Sequence, residues 1–462
     1  MVDVNSVDRW PTQSSPRTFV ARRQRLQALL RGPALLASGW PRPRNFPHNC
    51  HPFRAESHFL YCLGRQLPGA ALWIEPGQAR LYATPPDPEA RLWHGPEPTL
   101  EDLSRELELE VRPLSELGAA PEAATLAPQD PQAAEWLAAR LGRSLHAEAP
   151  APRDLELADA LIELRLSHDA AGIDQMRQAA AVTVDAHCEG LRRTAPGLRE
   201  ARVRAAMESV IVGAGMTLAY PPIVTVEGQI LHAQSHEHML AAGDLLLADV
   251  GAETPEGWAA DVTRTWPVSG QFSPTQRVLY QAVETAQKAA CAAVRPGARY
   301  RDVHRLSQRA LLQCLIDVGL FSGSLDSLLE LHAVALFYPH GVGHLLGLDV
   351  HDMEDLGDRA GYAAGRSRQL DPSYRYLRLD RDLRPGMVVT IEPGFYQIPD
   401  ALQAIDPGSP LDRALNRSRL AQFEDVRGIR IEDDVLVTET GHERLTGALP
   451  TDAAALEALL RA

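Results

Sequence analysis

Five cysteines in 462 residues are odd in number and scattered, and no two form a CxxC pair. Cys50, Cys62, Cys188, Cys291 and Cys314 therefore argue against a disulfide framework and fit a reducing cytoplasm. Long hydrophobic runs are missing too. No stretch approaches the ~18 apolar residues that a membrane span needs. The opening MVDVNSVDRWPTQSSP has no apolar core behind a basic end, so no secretory signal is expected. Positive charge is in short supply, with 46 Lys and Arg against 60 Asp and Glu and a net charge of −14. That balance excludes the basic face of a nucleic-acid binder and leaves carboxylates over for holding cations. The expectation is a soluble, cytoplasmic protein with no nucleic-acid or membrane partner.

What is present is ordinary globular composition, 45% hydrophobic and 23% charged, in a chain long enough for two or three domains. Residues 17–31 read as an amphipathic helix. PALLASG, GAALWIE and ARLYAT read as strands bounded by Gly and Pro. Helical patterns at 131–143 and 153–166 complete an α/β domain, 1–165. A second domain, 166–462, opens on a long helix with Asp169 and Asp174 in its early turns. Strands follow at IVTVEG, QILHAQ, DLLLADVG and WAADVTRTWPV, the last two as an antiparallel hairpin. Helices are expected at 275–294, 302–318 and 324–337, then strands at MVVTIEP and GIRIEDDVLVTE. The long loops 353–384 and 397–426 interrupt them.

Five potential metal ligands lie in order through this second domain: Asp249, Asp261, His344, Glu392 and Glu432. Four carboxylates and one imidazole suit a hard or borderline dication: manganese, cobalt, iron or zinc. A pair of dications needs this many anions, because the two ions repel strongly unless negative charge lies between them. Asp249 follows the apolar LLLA, where it either caps a turn before Gly251 or meets a metal that removes the cost of its burial. Strand alternation puts Asp261, Thr263 and Thr265 on one face and Arg430, Glu432 and Asp434 on another. For the latter set, a solvated charged face is the competing reading. Glu392 ends the apolar MVVTI, where a buried carboxylate beside a bound water could also serve as general base. The glycines of HGVGH oppose a helix, and His340, His344 and His351 fall within twelve residues, which favours function over packing.

Taken together, these strings resemble the pita-bread metallopeptidases that cleave before proline, aminopeptidase P and prolidase. HPFRAESHFLYCLG resembles the family's amino-terminal motif. The resemblance implies an α+β fold, with a curved antiparallel sheet covered by helices behind a smaller α/β domain. It implies two divalent cations, manganese by expectation, and hydrolysis of an Xaa-Pro bond by a hydroxide held between them. Asp249 would bind one metal, His344 and Glu392 the other, and Asp261 and Glu432 would bridge, with Glu392 as proton acceptor. His232, His340 and His351 would orient substrate and stabilise the tetrahedral intermediate. Arg430 would stand behind Glu432 or hold substrate, and Tyr220 would contribute to the substrate pocket. A homodimer or tetramer is implied, with Trp93, His48 or His58 candidates to reach a neighbour's site. Two departures stand out: Asp249 and Asp261 are twelve apart rather than the usual eleven, and the segment from Tyr220 to His232 is short.

The stretch SYRYLRLDRDLRPGM resembles the prolidase version of the loop before MVVTIEP. There an arginine, Arg378 here, would hold the substrate's terminal carboxylate and so measure its length. Arg378 could equally be one of several arginines on a solvated loop. The expectation is therefore an Xaa-Pro dipeptidase, with aminopeptidase P, acting on longer peptides, as the alternative. A non-catalytic peptide-binding module of the same fold is disfavoured because all five ligands are present.

Overall fold

A computed structural model describes residues 11–89 and 91–461. Two compact units are present, one built from Thr12–Leu166 with Pro255–Gly257, the other from Ser167–Thr254 and Trp258 onward. In the first, strands Ala34–Ala37, Ala71–Glu75, Gln78–Ala83 and Glu110–Pro113 form one sheet in that order. The first three pair antiparallel and the last joins in parallel. Glu75 lies opposite Gln78, and Gly77, at φ +80°, supplies the positive φ that the two-residue turn between them requires. Helices Pro16–Leu29, Pro131–Leu141 and Pro152–Arg165 each open with proline, whose missing N–H costs nothing in a first turn. Leu35, Ala71, Tyr82 and Leu137 share the core of this unit. His58 is buried here, its Nδ1 2.9 Å from Arg165 Nη1, so it is packed rather than offered to a neighbour. Trp93 is exposed.

In the second unit every strand pair is antiparallel. Leu245–Asp249 is flanked by Ile223–Thr225 and Thr263–Pro267, with Asp249 opposite Thr263, as the hairpin reading requires. Asp433–Val437 lies between Val388–Ile391 and His442–Arg444, and Gly394–Tyr396 pairs with Gly428–Arg430. Leu246, Ala248, Trp266, Phe395 and Ile429 join the helices Ala170–Arg193, Pro274–Ala293 and Tyr300–Asp317 in one large apolar core. Asp169 is the N-cap of the first of these, accepting from the Gly172 N–H at 2.9 Å.

Three sequence expectations fail, each for a tertiary reason. QILHAQ is turn, not strand: a Cβ on Gly228 would lie 2.8 Å from the Gly428 carbonyl oxygen, and Ile230 faces solvent. The helix expected at 324–337 stops after Leu325–Glu330, where His332 turns to φ +52° with its Nδ1 3.0 Å from Ser373 Oγ. A short 3₁₀ turn, Ala333–Leu336, follows. The strand in GIRIEDDVLVTE is two strands with different partners, broken at Ile431 and Glu432. The two long loops carry short helices, Asp358–Gly361, Pro399–Gln403, Pro410–Ala414 and Arg417–Leu420.

Behind the sheet, Arg264 is completely buried and uses its whole fork. Nη2 donates to Asp433 Oδ1 at 2.8 Å and to the Leu449 carbonyl at 2.8 Å. Nη1 donates to the carbonyls of Thr263 and Glu432 and Nε to that of Pro450. Removing one partner of such a pair strands the other in low dielectric, at about 3–5 kcal/mol. Arg264→Met is expected to cost that much in denaturant unfolding, and Arg264→Met with Asp433→Leu to recover part of it.

Candidate metal centre

Asp249 closes the buried strand Leu245–Asp249, and Asp261 stands two residues before the strand that pairs with it. Both carboxylates are buried, and one hydroxyl joins them: Tyr220 Oη lies 2.6 Å from Asp249 Oδ1 and 2.6 Å from Asp261 Oδ1. A hydroxyl carries one proton, so it can donate to only one of the two at a time. Tyr220 thus grips the two aspartates, and it is not among the residues lining the cavity described below. The Asp261 N–H donates to Asp434, which has both carboxylate oxygens at 3.2 Å.

Glu432 sits in the break between the two carboxy-terminal strands. Thr263 Oγ1 donates to its Oε2 at 2.7 Å, and its own N–H donates to the Thr263 carbonyl. Arg430, also buried, donates from Nε to the same Thr263 Oγ1 at 2.9 Å, from Nη2 to Asp249 Oδ2 at 2.6 Å, and from Nη1 to Tyr396 Oη at 3.1 Å. Its ion pair is with Asp249, and Thr263 links it to Glu432, behind which, or on the substrate, the resemblance implied its place.

HGVGH runs beside Val388–Ile391, and the His344 N–H donates to Thr390 Oγ1 at 3.1 Å. A Cβ on Gly343 would fall 2.2 Å from the Thr390 carbonyl oxygen, so only glycine allows this approach. His344 Nδ1 is 2.9 Å from the Leu345 carbonyl, which fixes the proton there and leaves the lone pair on Nε2. Nε2 lies 3.4 Å from Asp261 Oδ2 and 3.6 Å from Glu392 Oε1. A lone pair aimed at two carboxylate oxygens is repulsive unless a cation lies between them. His340 is fully engaged, Nδ1 on the Gly341 carbonyl at 2.8 Å and Nε2 on Tyr396 Oη at 2.9 Å, and burial pushes its pKa down to about 3. His351 lies against His344, ring centres 4.2 Å apart, with Nδ1 2.5 Å from Glu354 Oε2. His232, on the turn segment, has its pKa lowered by partial burial.

These groups face one cavity of about 550 Å³, lined by Asp249, Asp261, His344, Glu392 and Glu432 and by His232, His340, His351, Arg378 and Arg430. Among them four carboxylates meet one deeply buried guanidinium. Burial raises the pKa of Asp249, Asp261 and Glu432, and drives that of Glu392 up to about 8. Carboxyls crowded so that they resist ionising are what cations would relieve. Ligand atoms of Asp261, His344 and Glu432 all lie within 4.8 Å of one another. Oxygen donors with one imidazole fit divalent metal, as the donor chemistry anticipated.

Sequence reasoning missed Tyr396, which joins Arg430 to His340, and Asp434 as acceptor for the Asp261 amide. Both lie in the strings singled out, TIEPGFY and GIRIEDDV, but nothing local shows their partners. Thr263 was placed on the correct face, and its role as the link between Glu432 and Arg430 emerges only from the fold.

Comparison with known proteins places this geometry. The chain is 33% identical to Xaa-Pro aminopeptidase 2 of Streptomyces coelicolor over 99% of its own length and 93% of that protein. It is 33% identical to the Homo sapiens Xaa-Pro dipeptidase over 62% of this chain and 58% of that one. The structure of Pseudomonas aeruginosa aminopeptidase PepP superposes with a TM-score of 0.78 at 28% identity, covering 97% of this chain and 98% of that one. Residues 19–143 match the aminopeptidase P amino-terminal domain and residues 174–439 match metallopeptidase family M24. The α+β architecture is thus an aminopeptidase P-type amino-terminal domain followed by a pita-bread catalytic domain. Four carboxylates and His344 line one cavity, and the family match over more than half of the chain makes it a metallopeptidase belonging to family M24.

Proposed function

We propose that this chain is an Xaa-Pro aminopeptidase, releasing the residue before proline from peptides longer than two residues. The carrying observation is the cavity that gathers all five ligands beside three histidines and two arginines. The sequence put the dipeptidase first. The balance now favours aminopeptidase, because relatives so named span essentially the whole chain while the dipeptidase match covers 62% of it. Residues 1–165 and 166–462 are read as its two domains.

Asp249, Asp261, His344, Glu392 and Glu432 would hold two divalent cations, manganese in our reading. When bound, such a pair polarises the scissile carbonyl and supplies a nucleophile near neutral pH. Glu392, at the cavity wall, is suited to accept and return a proton at its carboxylate. His340 is held neutral through Tyr396 and Arg430, and with His232 and His351 it lines the pocket that orients the substrate. Tyr220 and Arg430 act one step back, fixing the aspartates. An Xaa-Pro bond has no N–H for an extended-strand protease to grip, so a rigid pocket that reads the ring serves better. All five cysteines are free, which supports the cytoplasm as its compartment, and we read the enzyme as a homodimer or tetramer.

With manganese added, Xaa-Pro-Xaa tripeptides are expected to exceed the matching Xaa-Pro dipeptides in kcat/KM by about tenfold or more, one charge-sized interaction. A preference for dipeptides that disappears in Arg378→Ala would return the protein to the dipeptidase reading.

A further inference from the structure

Arg378 lines the cavity, where a free guanidinium would reward the terminal carboxylate of a dipeptide. It is not free. Its Nη1 is ion-paired with Glu354 Oε1, and the other oxygen of the same carboxylate, Oε2, lies 2.5 Å from His351 Nδ1. The backbone at each end of this bridge is set by packing, while the two side chains are 38% and 44% exposed. Arg378 stands between Leu377 and Leu379, which are buried, and a Cβ on Gly361 would lie 2.2 Å from its carbonyl oxygen. Glu354 opens the 3₁₀ turn Glu354–Leu356 directly after Met353, a fully buried residue held at φ +58°. A non-glycine residue in that region persists only when its surroundings impose it, so the turn that aims Glu354 is a constrained one.

We propose that Glu354 is a specificity residue: by occupying Arg378 it cancels the reward for a substrate that ends at proline, and so steers the site toward longer peptides. This rests on the aminopeptidase reading and deepens it. A dipeptide brings a second carboxylate to a guanidinium that already has one, and the two anions repel. Glu392 adds a further negative charge facing Arg378. A tripeptide or a dipeptide amide presents a neutral carbonyl at the same place, and the remaining guanidinium N–H groups can donate to it without that repulsion. The second contact of Glu354 also has a consequence. It holds the His351 proton on Nδ1, so the residue that sets length also sets a tautomer.

The test compares Xaa-Pro dipeptides with the corresponding Xaa-Pro amides and Xaa-Pro-Xaa tripeptides, on the manganese-loaded full chain and its variants. Glutamine at 354 keeps an acceptor for His351 while removing the charge. In Glu354→Gln the ratio of kcat/KM for acid over amide is expected to rise by about tenfold, through the KM of the acid. Adding Arg378→Gln should abolish that rise. A rise below about threefold, or one that survives Arg378→Gln, overturns the proposal. Both substrates are measured on the same preparation, so any loss of folded protein cancels in the ratio. The aminopeptidase reading fails separately, if the unsubstituted enzyme does not cleave the tripeptides.

Discussion

Glu392→Gln is expected to lower kcat by about 10³-fold or more while leaving the protein folded. The backbone at this position is fixed independently of the side chain, since the Glu392 N–H donates to the Val342 carbonyl at 2.8 Å and the preceding strand pairs with Asp433–Val437. Glutamine fills the same space. What it removes is one anionic donor from the proposed ligand set, a carboxyl at the cavity wall that burial pushes up to about 8. Proton acceptance and metal retention should fail together. Stability should move the other way, because three buried carboxylates and the partly buried Glu392 around Arg430 are over-supplied with negative charge until cations arrive. The metal-free variant is therefore expected to melt at or above the metal-free parent. Turnover, metal content by elemental analysis and melting after chelation give three separate readouts. A kcat within about tenfold of the parent at saturating manganese would remove Glu392 from the mechanism.

That these acidic residues would gather was legible in the sequence because each stands at the edge of a buried strand or against glycine. LLLA before Asp249 and MVVTI before Glu392 announce burial, and burial makes an acidic residue there worth explaining. The hairpin was legible for the same reason, since Leu245–Asp249 and Thr263–Pro267 carry their apolar runs into register. What could not be read were partners far apart in the chain. Arg430 and Glu432 share a short string, yet Arg430 pairs with Asp249 across the sheet. Tyr220 looked like a pocket residue, and its hydroxyl is directed at two aspartates. Arg378 looked like a carboxylate receptor because SYRYLRLDRDLRPGM resembles the prolidase loop. The residue that changes its meaning, Glu354, lies on another turn. Alternation also misled at QILHAQ, where two glycine backbones meet too closely for a strand to continue.

The metal-free enzyme is expected to lose stability as pH rises from about 6.5 to about 8, above the range in which the buried His187, His304, His340, His344 and His351, their pKa values lowered by burial, add the opposite slope. The sign follows from where protons sit. Glu392 has an ordinary value of 4.5 and is pushed by burial to about 8 in the folded chain, and Asp249, Asp261 and Glu432 are shifted in the same direction. Between these values the unfolded chain has released protons that the folded chain still holds. Stability is therefore fully present below the unfolded pKa and drains away as pH climbs through the folded one. Each proton retained in this way costs about 1.4 kcal/mol per pH unit across the window. Divalent metal binds only the ionised carboxylates and the neutral imidazole of His344, so its binding releases those protons and strengthens with pH. The gap in melting temperature between the manganese-loaded and chelated protein should widen steadily from acid to neutral. The Asp249→Asn and Glu432→Gln variants should flatten the metal-free slope, since each removes one shifted carboxyl. A chelated parent whose melting temperature stays level or rises over this range would mean that the four carboxyls are not crowded as described. The case for a cation pair built on their crowding would fall with it.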